Sequence, residues 1–163
     1  MSTTVGDVMA RDVVTLSPEM TLSEMDRVLL EKQVSGAPVV EGKRLFGIVS
    51  RADVIRVLYE EQREAQRVSD FYTSPFPIPI PALEKLAKDS RKIADHMIKL
   101  RVHEVMTPNP LTVTPGDRVE WVAKMMNTQR IHRLPVTEDD QLVGIITSLD
   151  IVRLVAEVGL ASG

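Results

Sequence analysis

Apolar and polar positions along this chain follow one pattern that occurs twice. Residues 5–56 align with residues 102–153 at a constant offset of 97 without a gap, and 13 of the 52 aligned positions are identical. Val5, Val8 and Met9 return as Val102, Val105 and Met106, and Pro38-Val39 as Pro135-Val136. Leu45, Gly47 and Ile48 return as Leu142, Gly144 and Ile145, and Asp53 and Arg56 as Asp150 and Arg153. Chance does not hold such a register over an ungapped stretch of this length, so the chain arose by duplication.

Each copy predicts the same elements. Residues 13–16 and 111–113 read as short extended pieces, ended by Pro18 and Pro115. A helix follows, with Leu22, Met25, Val28 and Leu29 spaced for one buried face, matched by Val119, Val122, Met125 and Met126. Strands are expected at 37–40 and 45–49, and again at 134–137 and 142–146, around polar turns at 41–44 and 138–141. These paired runs read as hairpin-like units with a loop longer than two residues. A closing helix begins near Arg51 and near Ser148. Strand, helix, strand, strand, helix gives a mixed α/β (α+β) class in which each copy owns about half a core.

The material between the copies has no counterpart. The first closing helix is expected to run on as a charged stretch over 59–67 with a solvated face of Glu60, Glu61, Arg63 and Glu64. Pro75, Pro77, Pro79 and Pro81 then alternate with Phe76, Ile78 and Ile80, which forbids helix and favours an extended strap over 71–81. The strap is too apolar for a plain linker and is expected to pack either on its own module or on a second chain. Residues 82–100 predict a helix with Leu83, Leu86, Ile93, Met97 and Leu100 on one face. The expected division is a first repeat over 1–67, an insert over 68–101 and a second repeat over 102–163.

Composition narrows the function classes. A net charge of −3 and 4% aromatic residues argue against nucleic-acid binding and against a base-stacking platform. The absence of cysteine removes disulfides, thiolate metal sites and cysteine nucleophiles. Asp7 and Asp12 interrupt any signal-like apolar run, and no stretch approaches the roughly 18 apolar residues of a membrane span. A cytoplasmic protein with no membrane partner is the expectation. His96, His103 and His132 show no ligand spacing, so no metal site is expected. Asp139-Asp140 lies in a turn, and no HExxH, GxSxG or P-loop pattern occurs, so no enzyme and no catalytic residue are expected.

Ser50-Arg-Ala-Asp53 and Thr147-Ser-Leu-Asp150 sit where a strand passes into a helix. Backbone N–H groups and the helix dipole favour a phosphate there, the Ser or Thr hydroxyl can add a donor, and an ionised Asp can accept from ribose hydroxyls. The same spacing also forms a capping box that needs no ligand. Both readings stand, and the two roles are compatible.

Together the opening Val5-Gly-Asp-Val-Met9 and Val102-His-Glu-Val-Met106, the apolar-Pro-Val strand and the Gly-Ile-apolar-Ser/Thr-x-x-Asp segment resemble the cystathionine-β-synthase (CBS) domain. A tandem pair of these is a Bateman module. The resemblance covers both repeats and not the insert. It implies two pseudo-symmetric β-α-β-β-α repeats packed sheet to sheet, with clefts that take adenosine-containing ligands: AMP, ADP, ATP or S-adenosylmethionine as regulatory ligands, none an obligatory cofactor. It implies one site from Val14, Val34, Ser35, His132, Arg133, Thr147 and Asp150, with Arg133 as the phosphate counter-charge. A second site would combine Leu111, Ile131, His132, Ser35, Gly36, Ser50 and Asp53. There Gly36 stands at the position equivalent to Arg133, Arg51 is the candidate compensating cation, and the Asp150 site is expected to hold phosphate more strongly. A homodimer is also implied, through helices after Asp53 and Asp150 carrying Val54, Ile55, Leu58, Ile151, Val152 and Val155, with an unidentified effector protein as partner. The competing reading is a structural or oligomerisation module with degenerate clefts, and a nucleic-acid-binding member of the family stands behind it.

Overall fold

A computed structural model of the chain describes residues 3–58 and 90–158. The charged extension at 59–67, the strap at 71–81 and the start of the helix expected over 82–100 lie outside the described residues. In chain order the elements are α1 (Val5–Val8), α2 (Leu22–Glu31), β1 (Gly36–Glu41), β2 (Arg44–Ser50), α3 (Arg51–Leu58), α4 (Ser90–Lys99), α5 (Val102–Val105), β3 (Thr107–Pro108), α6 (Val119–Gln129), β4 (Arg133–Glu138), β5 (Gln141–Thr147) and α7 (Ser148–Val158). They form two compact units: a first unit of Val14–Pro110, and a second of Met1–Val13 with Leu111–Gly163.

In the first unit, α2 starts at a reciprocal capping box. The Thr21 hydroxyl accepts the Glu24 N–H at 3.2 Å, and the Glu24 carboxylate accepts the Thr21 N–H at 2.8 Å. The apolar stripe then seats Leu22, Met25 and Leu29, all buried, against Leu16, Val39, Val49 and Val54. β1 and β2 pair antiparallel from Gly36↔Ser50 to Glu41↔Arg44, so the connecting turn is two residues, shorter than expected. Gly42 takes φ +62° in that turn, which its missing Cβ permits. The second unit repeats the arrangement: β4 and β5 pair from Arg133↔Thr147 to Glu138↔Gln141. Asp139 and Asp140 both have positive φ, at 50° and 61°, the mirror-image turn that suits the twist of a tight hairpin.

The expected opening strands shrink to single parallel bridges, Leu16↔Val39 and Val113↔Val136. Leu16 N–H donates to the Pro38 carbonyl and Val40 N–H donates to the Leu16 carbonyl. The next rung would need an N–H from residue 38, and proline has none. Pro135 stops the second copy in the same way.

One feature escapes the linear pattern: the opening segment of each repeat lies with the body of the other. In the second unit, Val5 and Gly6 N–H donate to the carbonyls of Asp117 and Pro115, both at 2.8 Å, and Ala10 exchanges two 2.9 Å hydrogen bonds with Ile145. In the first unit, Val102 N–H donates to Met20 at 2.9 Å and β3 pairs with β2. Each motif methionine rests on a strand glycine. A Cβ on Gly144 would lie 2.6 Å from Met9 Sδ, and one on Gly47 would lie 2.7 Å from Met106 Sδ. Only glycine leaves room for that seat.

A candidate adenosyl-ligand site

The strand-to-helix junctions are built alike in the two units. Asp150 Oδ2 accepts the Thr147 N–H at 2.8 Å and the Thr147 hydroxyl at 2.7 Å, while Asp150 N–H donates to that hydroxyl oxygen at 3.3 Å. Asp53 and Ser50 repeat this at 2.8, 2.7 and 3.3 Å. The capping box is therefore formed in both repeats, and it uses up the hydroxyl protons expected as phosphate donors. The backbone donors are also largely occupied: Ser148 N–H donates to the His132 carbonyl at 2.9 Å and Arg51 N–H to the Ser35 carbonyl at 3.1 Å. Those two bonds tie the loop before each first hairpin strand to the start of the closing helix.

One carboxylate oxygen of Asp150 remains outside the cap. Its Oδ1 has Arg153 at 3.8 Å, on a side chain 69% exposed, a contact worth little in water. Asp150 is itself buried at 9% exposure. A buried carboxylate with an oxygen turned away from its own cap can accept hydrogen bonds from a diol. Arg133, at the head of β4 beside Thr147, is partly buried, and burial pushes its guanidinium pKa below the ordinary value. His132 is exposed and Ile131 is buried. Thus His132, Arg133, Thr147, Asp150 and Ile131 gather at one end of the second unit, which also holds Leu111.

In the first unit the same end brings Val34, Ser35, Gly36, Ser50 and Asp53 together, with Val14 in the same unit. The departure at Gly36 is built into the backbone. A Cβ there would stand 2.6 Å from the Val49 carbonyl oxygen and 3.0 Å from Ser50 Cα, so no side chain fits. Arg51 does not compensate. Its Nε donates to Asp26 Oδ1 at 2.7 Å and its Nη2 to the Asp26 carbonyl at 3.2 Å, which turns it onto α2. This corrects the expectation for Arg51: a carboxylate one helix away captured it. Among the described residues no three His, Asp or Glu side chains gather to hold a metal, and no helix is long and apolar enough to cross a membrane.

Duplicated α/β units, each closing on a Ser/Thr-x-x-Asp helix start, define a tandem two-repeat module. The chain belongs to the CBS domain family, whose model matches residues 5–60 and 102–157. It is 28% identical over 158 residues to the uncharacterized protein MJ1426 of Methanocaldococcus jannaschii, covering 91% of this chain and 89% of that one. The chain spans 42% and 39% of two further relatives from that organism. Its structure is similar to that of CBSX2 in complex with AMP, with a TM-score of 0.66 and 26% identity over 96% of this chain and 98% of that one. The same fold is seen in the CBS domain pair of MJ0100 in complex with 5′-methylthioadenosine and S-adenosylmethionine (TM-score 0.62, 22% identity, covering 98% of this chain and 100% of that one).

Proposed function

We propose that the chain is a regulatory ligand-binding module that senses adenosine-containing nucleotides, AMP, ADP, ATP or S-adenosylmethionine, and carries out no chemistry of its own. The observation that carries this reading is the split use of Asp150: Oδ2 closes the helix cap, and Oδ1 is left with an exposed arginine 3.8 Å away. In the proposed site Asp150 Oδ1 receives the ribose hydroxyls and Arg133 faces the phosphate. Val14, Val34 and Ser35 of the first repeat complete it, as the family resemblance implies. The resemblance gives the Val14 backbone the hydrogen bonds to the base, and Pro38 suits that part, because without an N–H it leaves the Val14 carbonyl off the ladder. The counterpart site of Leu111, Ile131, His132, Ser35, Gly36, Ser50 and Asp53 lacks the arginine and is proposed to favour ligands with less phosphate charge. A ligand that binds only the folded state raises the melting temperature by mass action. Scanning with saturating AMP, ATP and S-adenosylmethionine is expected to show a rise for at least one; no rise for any of them contradicts the reading.

A second reading, an oligomerisation module, is favoured by apolar side chains left in water: Leu30 at 64%, Leu149 at 71% and Val152 at 62% exposure. We extend the proposal to a homodimer through the helices that carry them. Val54, expected at that interface, is instead 5% exposed within the first unit's core, whereas Val152 and Val155 face outward. The Leu58 side chain lies outside the described residues.

A further inference from the structure

The second unit holds a groove of about 830 Å³ between α6 and α7, a volume ordinary for a small-molecule site. Ala123 and Ser148 line it, and the positions 97 residues earlier are Asp26 and Arg51. In the first unit those two side chains meet at 2.7 Å and occupy the matching place. Two small residues therefore leave open what two long ones fill.

Charge changes at the same place and in one direction. Asp26 and Glu31 of the first repeat are matched by Ala123 and Thr128, and Gln33 and Ser35 by Arg130 and His132, which all line the groove. The second repeat thus loses two carboxylates there and gains a guanidinium and an imidazole. The backbone does not call for arginine, since Gln33 takes the same φ of 55° as Arg130. Among the described residues no carboxylate lines the groove, and the Arg130 guanidinium has no hydrogen-bond or ion-pair partner. Much of the remaining lining is apolar, with Met126 from α6 and Ile151 and Val152 from α7.

We propose that this groove binds a small organic acid, with its carboxylate on Arg130 and His132 and its aliphatic body along Met126, Ile151 and Val152. A guanidinium can hold both oxygens of a carboxylate through parallel N–H donors, and the imidazole supplies a further donor. One permanent cation balances a single negative charge, which suits a carboxylate rather than a phosphate dianion. The aliphatic body takes Val152, 62% exposed, out of water. The site is distinct from the nucleotide junction: Ile131 and His132 border both, but Arg133, Thr147 and Asp150 do not line the groove. It lies within one unit of one chain and depends on neither nucleotide binding nor the homodimer.

Hexanoate is titrated into the full chain by calorimetry, with hexylamine as the same aliphatic body bearing the opposite charge. Saturable binding of hexanoate and none of hexylamine are expected. Ala123→Asp with Ser148→Arg rebuilds the pair that fills the first unit and should abolish hexanoate binding. Arg130→Gln, the exchange that restores the first repeat's side chain, should weaken it about tenfold or more. Circular dichroism checks that both variants fold, and Arg130→Gln carries the test alone should the double variant unfold. AMP, titrated into the same proteins, should bind them alike and leave hexanoate in place. No saturable binding of hexanoate, equal binding of hexylamine, or full hexanoate affinity in a folded variant overturns the site. Displacement of hexanoate by AMP overturns it too, by making the groove part of the nucleotide site. Hexanoate binding as expected with no AMP binding to any of the proteins counts against the nucleotide reading alone.

Discussion

Gly144→Ala tests the exchange of opening segments with a single methyl group. The added carbon would stand 2.6 Å from Met9 Sδ and 2.9 Å from the Ala10 carbonyl oxygen. A methionine side chain can swing away, but the Ala10 backbone is held by two 2.9 Å hydrogen bonds to Ile145, the residue next to the new methyl. The clash therefore either strains the core or opens that bridge. Overpacking of a filled core costs about 1–3 kcal/mol, and each hydrogen bond lost adds about 1 kcal/mol. An expected loss of about 2 kcal/mol, with a urea slope of roughly 2 kcal/mol per molar, lowers the unfolding midpoint by about 1 M. Gly116→Ala is the control, since a Cβ there meets nothing within 4 Å, and it should shift stability by less than about 0.5 kcal/mol. Met9→Ala in the Gly144→Ala background should recover part of the clash, giving a coupling of about 0.5 kcal/mol or more. Equal midpoints for the two alanine variants, or strict additivity with Met9→Ala, would refute the seating of Met9 on Gly144.

Three further outcomes follow from the geometry. Asp53→Ala strips the cap from α3 and leaves the buried Ser50 N–H without its acceptor, and should cost about 2 kcal/mol in urea unfolding. Glu24 is held below its ordinary pKa first by the Thr21 N–H and then by the Thr21 hydroxyl, and Asp7 likewise by Thr4. Because these folded-state values are depressed, their contribution is present above the unfolded carboxylate range and is lost as pH falls through the folded values. Glu24→Gln should therefore flatten the fall of the urea midpoint between neutral and acid pH, and an unchanged profile speaks against the box. Arg133→Lys should weaken AMP or ATP about tenfold, roughly 1.4 kcal/mol, and leave S-adenosylmethionine, which has no phosphate, nearly unaffected in calorimetry; equal losses for both ligand types remove Arg133 from the phosphate.

Much of the local fold is written in the chain. The stripe of Leu22, Met25 and Leu29 places α2, and Thr21 with Glu24 marks its start. The hairpins were legible as pairs, but their length was not: two adjacent aspartates both at positive φ look, in sequence, like any polar turn. The exchange of opening segments leaves no linear mark, since Met9 aligns with Met106 while its contact is Gly144, a residue of the opposite copy. The one signal of it in the sequence is the repeated pairing of a motif methionine with a strand glycine. At the candidate site, Ser-x-x-Asp spacing was visible, but not that the cap would take one carboxylate oxygen and both hydroxyl functions. Nor could spacing tell that Arg51 would turn to Asp26, because that depends on where α2 and α3 meet in space.

The central claim, that the Asp150 junction holds the ribose of an adenosine-containing ligand, is tested most directly by calorimetric titration of AMP, ATP and S-adenosylmethionine into the wild type and Asp150→Ala, with circular dichroism confirming that the variant stays folded. The account predicts binding of at least one ligand to the wild type and a loss of about tenfold or more in the variant, roughly 1.4 kcal/mol. No heat from any ligand, or equal affinity in the two proteins, contradicts it and leaves Asp150 as the cap of α7.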